Sequence, residues 1–90
     1  MNDNPSVSIV VPVLNEEDSL EIFYRETSNA LQGFPEWEII FIDDGSTDNS
    51  WGTLNAIAES DETVKLIRFN KNYGKAEALS EGFSQSNGEF

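Results

Sequence analysis

The chain has 90 residues, enough for one domain at most, and 38% hydrophobic and 24% charged residues are ordinary for a globular protein. Seventeen acidic residues face five basic ones, and the formal charge of −12 argues against binding nucleic acid or an anionic membrane through this chain. Because cysteine and histidine are absent, disulfides, thiolate chemistry and a histidine base are excluded. No signal peptide or long apolar run is present, so we expect a soluble, cytoplasmic protein.

The first two predicted elements are a strand and an amphipathic helix. Residues 7–13, VSIVVPV, form a nearly continuous apolar run, which predicts a strand buried on both faces. The next stretch has helical period, with its apolar stripe at Leu20, Phe23, Tyr24, Thr27 and Leu31. Asn15 is the predicted N-cap, and Gly33 and Pro35 are expected to end the helix.

The strand–helix pattern then repeats twice. Residues 37–43, WEIIFID, predict a second strand, and Asp48 or Ser46 is the expected cap of the helix that follows. The inward face of that helix is Trp51, Leu54, Ile57 and Ala58. Residues 63–70 alternate as an edge strand does. A third helix is predicted over residues 74–86, with an inward face of Ala76, Leu79 and Phe83.

Three strand–helix units in succession predict an α/β fold, a Rossmann-like, three-layer parallel sheet in βαβαβα order. In open sheets of this kind, ligands bind outside the carboxyl ends of the strands. Those ends carry PVLNEE, DDGSTD and FNKNYGK in this chain. The fold therefore predicts that three polar loops meet at one edge and form a ligand pocket.

The adjacent carboxylates Asp43 and Asp44 come directly after the second strand. An ionised carboxylate only accepts hydrogen bonds, which suits ribose hydroxyls and the ring N–H of uracil or guanine. Capping of the next helix is the alternative role for each aspartate. Asn15 and Glu16, after the first strand, have the same two options, capping or ligand contact.

Cations cluster near the third loop. Four of the five basic residues, at positions 65, 68, 71 and 75, lie within eleven residues, as a solvated face or as compensation for an anionic ligand. Lys75 would either meet a phosphate or stay solvated, and Gly74 would permit a turn or a close backbone approach. Neither a dinucleotide-binding G-x-G-x-x-G nor a P-loop motif is present.

Three segments in register, SIVVPVLNEEDSL, EIIFIDDGSTDNSW and RFNKNYGKAEALSEGF, resemble the start of a glycosyltransferase family 2 catalytic domain. The resemblance runs from Val7 to about Phe90 and implies that residues 1–90 are the N-terminal nucleotide-sugar-binding portion of an A-type glycosyltransferase fold. The third segment is most similar to the branch that moves a sugar onto a polyprenyl phosphate, which includes the dolichol-phosphate mannosyltransferases. The implied parent protein is an inverting glycosyltransferase.

The resemblance also implies a donor, a UDP- or GDP-linked sugar, with Asp44 the favoured contact if a single aspartate is used. The implied binding residues are Pro12, Val13, Asn15, Glu16, Asp43, Asp44, Asn72, Gly74 and Lys75. In the family a D-x-D motif after the fourth strand holds a divalent metal, Mg or Mn, against the diphosphate. This chain ends before that motif, so we expect it to bind no metal and to be inactive alone.

Two further expectations concern partners. In the resembled fold the fourth strand pairs beside the first, so we expect residues 7–13 to offer an exposed edge that joins two copies of the chain. Contact with a membrane is expected only through regions beyond residue 90. The alternative functions are a non-catalytic acidic interaction module and a receiver-like domain, although a receiver would carry its acidic pair after the first strand.

Overall fold

The structure is a computed structural model that describes residues 7–71 and 74–85, without the side chains of residues 75, 76, 83 and 85. Within this part of the chain the strands are β1 (Val7–Val13), β2 (Trp37–Asp43) and β3 (Val64–Arg68). The helices are α1 (Leu20–Ala30), α2 (Ser50–Ser60) and α3 (Lys75–Gln85), and a 3-10 turn (Leu31–Gly33) follows α1. The strands are parallel, in the order β1–β2–β3. The predicted α/β fold is confirmed.

The central strand β2 is covered on both faces, as its continuous apolar sequence predicts. Ile39 and Phe41 pack in a core with Leu54 of α2, to which α1 also contributes. Ile40 and Ile42 pack on the other face with Ala78 of α3. The sheet is therefore the middle layer of three, and alternate residues of one strand supply two separate cores.

Helix α3 lies unusually close to the sheet because position 82 is glycine. A Cβ atom built on Gly82 would overlap the Cγ1 atom of Val10 and would lie 2.7 Å from the Cδ1 atom of Ile42. Real Cβ atoms essentially never approach other heavy atoms so closely. Gly82 and the buried Ala78, one turn apart, thus form the small surface on which β1 and β2 pack.

The start of α1 differs from the prediction. The helix begins at Leu20 with Ser19 as its N-cap, so the prediction of Asn15 as the cap is wrong. Asn15 instead adopts a left-handed backbone conformation, with φ of 53°, and bonds to another loop. These contacts are non-local, which is why a local capping pattern could not predict them. The helix ends at Ala30, before the predicted end near Gly33.

Smaller differences affect the other elements. Strand β3 is shorter than predicted. The N-cap position of α2 is Asn49, although the Oδ1 atom of Asp48 accepts the Ser50 N–H at 2.9 Å and so satisfies the first turn. In α3 the predicted inward residue Leu79 is only half-buried, because the closest face is built from smaller residues. The side chains of the other two predicted inward residues, 76 and 83, lie outside the described part.

Candidate functional site

The carboxyl ends of the strands lie side by side. Val13 of β1 is in register with Asp43 of β2, which is in register with Arg68 of β3. Three loops leave this edge: the first loop (residues 14–19), the second loop (44–49) and the third loop, of which residues 69–71 and 74 are described. The parallel topology thus brings together the segments that the sequence predicts as ligand-binding.

The first two loops are held together by side chain–backbone hydrogen bonds. The Oδ1 atom of Asn15 accepts the N–H of Thr47 at 2.8 Å and that of Asp48 at 3.2 Å. The Asn15 N–H donates to the Oγ atom of Ser46 at 3.0 Å. One residue further, the Glu16 N–H donates to the Oγ atom of Ser50 at 2.9 Å.

The side chain of Asp44 connects the second loop to the third. Its Oδ2 atom accepts the N–H of Gly74 at 2.8 Å, and its backbone N–H donates to the carbonyl of Val13 at 2.8 Å. Gly74 has φ of 97°, a conformation that glycine adopts without strain, and it directly precedes Lys75. Asp44 is only 3% exposed. It therefore contacts both the end of β1 and the third loop.

Asp43 is fully buried, yet half of its carboxylate is unpaired. The Oδ1 atom accepts the N–H of Ser46 at 2.9 Å, while the Oδ2 atom has no hydrogen-bond partner within the described residues. An unpaired buried acceptor costs free energy, and natural proteins accept that cost mainly at functional sites. Asp43 is accordingly the strongest sign of function at this edge.

The remaining predicted site residues differ in their availability. Pro12 is half-buried in β1, and the Val13 side chain is 1% exposed, so Val13 acts in the loop network through its carbonyl. Glu16 is exposed, and its N–H is used by Ser50. Asn72 and the side chain of Lys75 lie outside the described residues.

The cation cluster is partly committed to contacts within the protein. Lys65 forms an ion pair with Glu38, at 2.8 Å between Nζ and Oε1, close to the amino ends of the strands. The Arg68 guanidinium lies 5.0 Å from the centroid of the Trp51 ring, a cation–π distance. Lys65 and Arg68 therefore make contacts within the protein, and the structure does not support the prediction that they compensate an anionic ligand.

An open groove of about 480 Å³ lies beside the acidic pair, between Gly45–Thr47 and Arg68–Asn70. The sequence singled out Arg68 only as a member of the cation cluster. Arg68 also lines the groove, and it is in register with Asp43. Aligning the ends of β2 and β3 in the sequence would have predicted this position.

Asp48, in the second loop, has a lowered pKa. The hydrogen bond from the Ser50 side chain lowers the pKa of Asp48 below its ordinary value, and backbone N–H donors, including those of Ser50 and Glu17, act in the same direction against the effect of burial. Asp48 is therefore held in the ionised, acceptor-only form that these donors require.

The described residues do not fit a divalent metal. Within residues 7–71 and 74–85, no three His, Cys, Asp or Glu side chains lie together in a way that could hold an ion. The same part of the chain contains no helix with the length and apolar character needed to cross a bilayer.

Residues 8–90 match the family model described as Glycosyl transferase family 2. The chain belongs to glycosyl transferase family 2. This family 2 chain is 40% identical over 84 residues to a bactoprenol glucosyl transferase of Shigella phage SfV. It is 44% identical over 85 residues to an undecaprenyl-phosphate 4-deoxy-4-formamido-L-arabinose transferase of Yersinia enterocolitica. Each alignment covers 92% of the chain but only 27% and 26% of the respective relative, so the chain spans about a quarter of their length.

A solved structure is similar to the family 2 chain in three dimensions. It is a mannosyltransferase, PcManGT from Pyrobaculum calidifontis, in complex with GDP-Man and Mn²⁺. The TM-score is 0.79 at 27% identity, and the match covers 96% of this chain and 26% of the other. The predicted family and the glycosyltransferase fold are thereby confirmed, and the receiver-like alternative is disfavoured.

Proposed function

We propose that the protein containing this chain transfers a sugar from a nucleoside diphosphate sugar to an acceptor, and that the three loops hold the nucleoside. The meeting of these loops around the buried pair Asp43 and Asp44 carries the proposal. Membership of the family supports it, as does the presence of GDP-Man in the similar mannosyltransferase structure.

In this proposal the acidic pair, Asp43 and Asp44, recognises the nucleoside through hydrogen bonds. Both carboxylates are buried; Asp43 has an oxygen that no described residue pairs, and Asp44 lies where the second loop meets the third. Each is proposed to accept a base N–H or a ribose hydroxyl when the nucleoside binds. Uracil and guanine each offer a ring N–H, which favours UDP- or GDP-linked donors. Val13 and Gly74 contact Asp44 directly. Ligand contacts by Pro12, Val13, Asn15, Glu16, Asn72, Gly74 and Lys75 remain predictions.

The proposed reaction is a displacement at the anomeric carbon. An acceptor oxygen forms a bond to the anomeric carbon while the bond between that carbon and the diphosphate oxygen breaks. The nucleoside diphosphate leaves with the electrons of the broken bond. We propose a polyprenyl phosphate as the acceptor, supported by the similarity to an undecaprenyl-phosphate 4-deoxy-4-formamido-L-arabinose transferase that is 44% identical to this chain. Because the described residues do not fit a metal, we assign no step to Mg or Mn, which remain predictions for the whole protein.

Calorimetric titration of the full-length protein with UDP, GDP, UDP-glucose and GDP-mannose tests the proposal, with ADP and CDP for comparison. We expect a uridine or guanosine nucleotide to bind and Asp44→Asn to weaken its binding at least about tenfold, because a site built around a buried acceptor discriminates strongly. Glu59→Gln, an exposed residue of α2, removes the same charge and should leave binding unchanged. Equal affinity of wild type and Asp44→Asn would contradict the proposal.

Three expectations about the protein's state remain predictions: a cytoplasmic location, inactivity of residues 1–90 alone, and pairing of two copies through β1. Within the described sheet, β1 pairs on one side only. An unpaired edge is a template for another strand. Light scattering at micromolar concentration tests the pairing, and a clean monomer would contradict it.

A further inference from the structure

The side chain of Asn15 is used in an arrangement that ligand binding does not explain. The term Asn15 clasp denotes here Asn15 and its partners Ser46, Thr47 and Asp48. Four hydrogen bonds lie within it, and all join residues 31 to 33 positions apart in the sequence. The clasp is therefore a tertiary connection between the first and second loops.

The orientation of the Asn15 amide follows from its partners. Thr47 and Asp48 present backbone N–H groups, which only donate, so the atom that meets them must be the amide oxygen. The Thr47 hydroxyl also lies 3.4 Å from that oxygen. The oxygen is thus engaged by the second loop, and a ligand would have to displace those bonds to use it.

The backbone of Asn15 contributes a second part of the clasp. Its φ of 53° lies in the left-handed region, where asparagine is tolerated far better than most residues with a Cβ atom. In that conformation its N–H donates to the Ser46 hydroxyl. Asparagine thus satisfies both requirements, a left-handed backbone and an acceptor on a short side chain.

The clasp is one step removed from the acidic pair. Ser46, whose hydroxyl accepts the Asn15 N–H, donates its own N–H to the Oδ1 atom of Asp43 at 2.9 Å. That bond fixes the carboxylate and leaves the Oδ2 atom as its unpaired oxygen. A loop released from Asn15 would release the donor that orients Asp43.

We propose that Asn15 is a positioning residue, which holds the second loop, one wall of the open groove, in the conformation that binds the nucleoside. The inference rests on the proposed function for its ligand, a uridine or guanosine nucleotide. It assigns the role to the Asn15 oxygen and backbone and not to a ligand contact by the Nδ2 atom.

Three variants of the full-length protein separate these parts. Asn15→Gly keeps the left-handed backbone and removes the oxygen. Asn15→Asp keeps an oxygen acceptor and removes the Nδ2 donor. Asn29→Ala, at an exposed position of α1, is the matched control for loss of an asparagine side chain. Uridine and guanosine are titrated beside UDP and GDP, because an uncharged ligand is insensitive to the charge that Asn15→Asp adds.

Amide hydrogen–deuterium exchange of peptides covering residues 44–50, measured by mass spectrometry, reports on the loop independently of any ligand. We expect Asn15→Gly to speed exchange there about tenfold and to weaken nucleoside binding about tenfold, since two backbone N–H groups lose their acceptor. Asn15→Asp should show the exchange rate and the nucleoside affinity of wild type, because it keeps the oxygen acceptor. Asn29→Ala should match wild type in both measurements.

Unchanged exchange in Asn15→Gly would overturn the inference. Equal weakening of binding by Asn15→Gly and Asn15→Asp, with exchange preserved in the aspartate variant, would also overturn it, because the Nδ2 atom would then contact the ligand. If wild type binds no nucleoside or nucleotide, the proposed function fails, and the exchange measurement alone decides whether Asn15 holds the loop.

Discussion

The two ends of the sheet treat buried carboxylates differently. Near the amino ends of the strands, Glu38 is 3% exposed and is paired with Lys65 and with the hydroxyl of Ser8. At the carboxyl ends, Asp43 is fully buried, receives one backbone N–H and keeps one oxygen that no described residue pairs. Since both arrangements occur in one small sheet, the second is not a general property of how this chain buries acids.

This difference teaches how to separate structural from functional polar groups. A buried carboxylate that serves stability is expected to have its charge compensated, because an unpaired one costs several kcal/mol. A carboxylate left partly unpaired is expected to gain its partner from a ligand. The amino end should thus govern the free energy of unfolding, and the carboxyl end should govern binding.

The largest expected effect is at the amino end. Lys65→Met leaves the Glu38 carboxylate buried without its cation, and we expect unfolding to become easier by about 2 kcal/mol. This is less than for a fully buried pair because the Lys65 side chain is 46% exposed. Urea denaturation measures the change.

The double variant Lys65→Met with Glu38→Met is the control for this first prediction. Replacing both partners by apolar side chains removes the uncompensated charge, so most of the lost stability should return. If the single variant Lys65→Met is as stable as wild type, the ion pair does not stabilise the fold, and the proposed difference between the two ends of the sheet is contradicted.

The second prediction concerns the carboxyl end. Asp43→Asn keeps an oxygen for the Ser46 N–H, so we expect a stability change within about 1 kcal/mol. Nucleotide affinity should fall about tenfold, because the charge of the unpaired oxygen is lost. Calorimetry and urea denaturation of the same samples give both values.

Glu38→Gln is the crossed control for Asp43→Asn. It makes the same chemical change at the amino end, and it should lower stability while leaving nucleotide affinity unchanged. Loss of stability without loss of affinity in Asp43→Asn would mean that Asp43 is structural like Glu38.

The smallest expected effect concerns a second polar contact near the amino ends of the strands, between Tyr24 and Asp61. The hydroxyl of Tyr24 in α1 donates to Asp61, which precedes β3. This bond, with burial and the Asp61 charge, raises the pKa of Tyr24 from 10.0 to about 12. The folded state thus favours the protonated phenol. The contribution of Tyr24 to the free energy of unfolding is therefore complete below pH 10 and is lost as the pH rises toward 12.

Tyr24→Phe should lower the free energy of unfolding by about 1 kcal/mol at neutral pH. It should also abolish the Tyr24 contribution to the fall in stability between pH 10 and pH 12, which pH-dependent urea denaturation detects. Equal slopes for wild type and Tyr24→Phe in that range would show that the phenol is not coupled to folding.

Much of the fold could be predicted from the sequence because its signals are local. The bounds of β1 and β2 agree with the prediction because each apolar run ends sharply at polar residues. The start of α1 could not be predicted, because Asn15 satisfies a local capping pattern and a contact more than thirty residues away competes with it. Leu79 of α3 is less buried than predicted, since helical period does not reveal how closely a glycine lets a helix approach.

The candidate site was predicted to the level of the sheet edge and no further. Parallel topology alone places the three loops together. Which oxygen of Asp43 stays unpaired, and that Asn15 contacts the second loop, depend on side-chain geometry between distant residues. The sequence therefore identifies the acidic pair, and the three-dimensional structure distinguishes the roles of its neighbours.

The close approach at Gly82 has a practical consequence for engineering this chain. Glycine within a helix is the usual first target for thermostabilisation, because alanine gains about 1 kcal/mol of helix propensity. At position 82 the added methyl group would overlap β1, and the forced separation of α3 from the sheet should exceed that gain. A combinatorial library would do better to vary Gly33, where an added Cβ atom meets nothing within 4 Å.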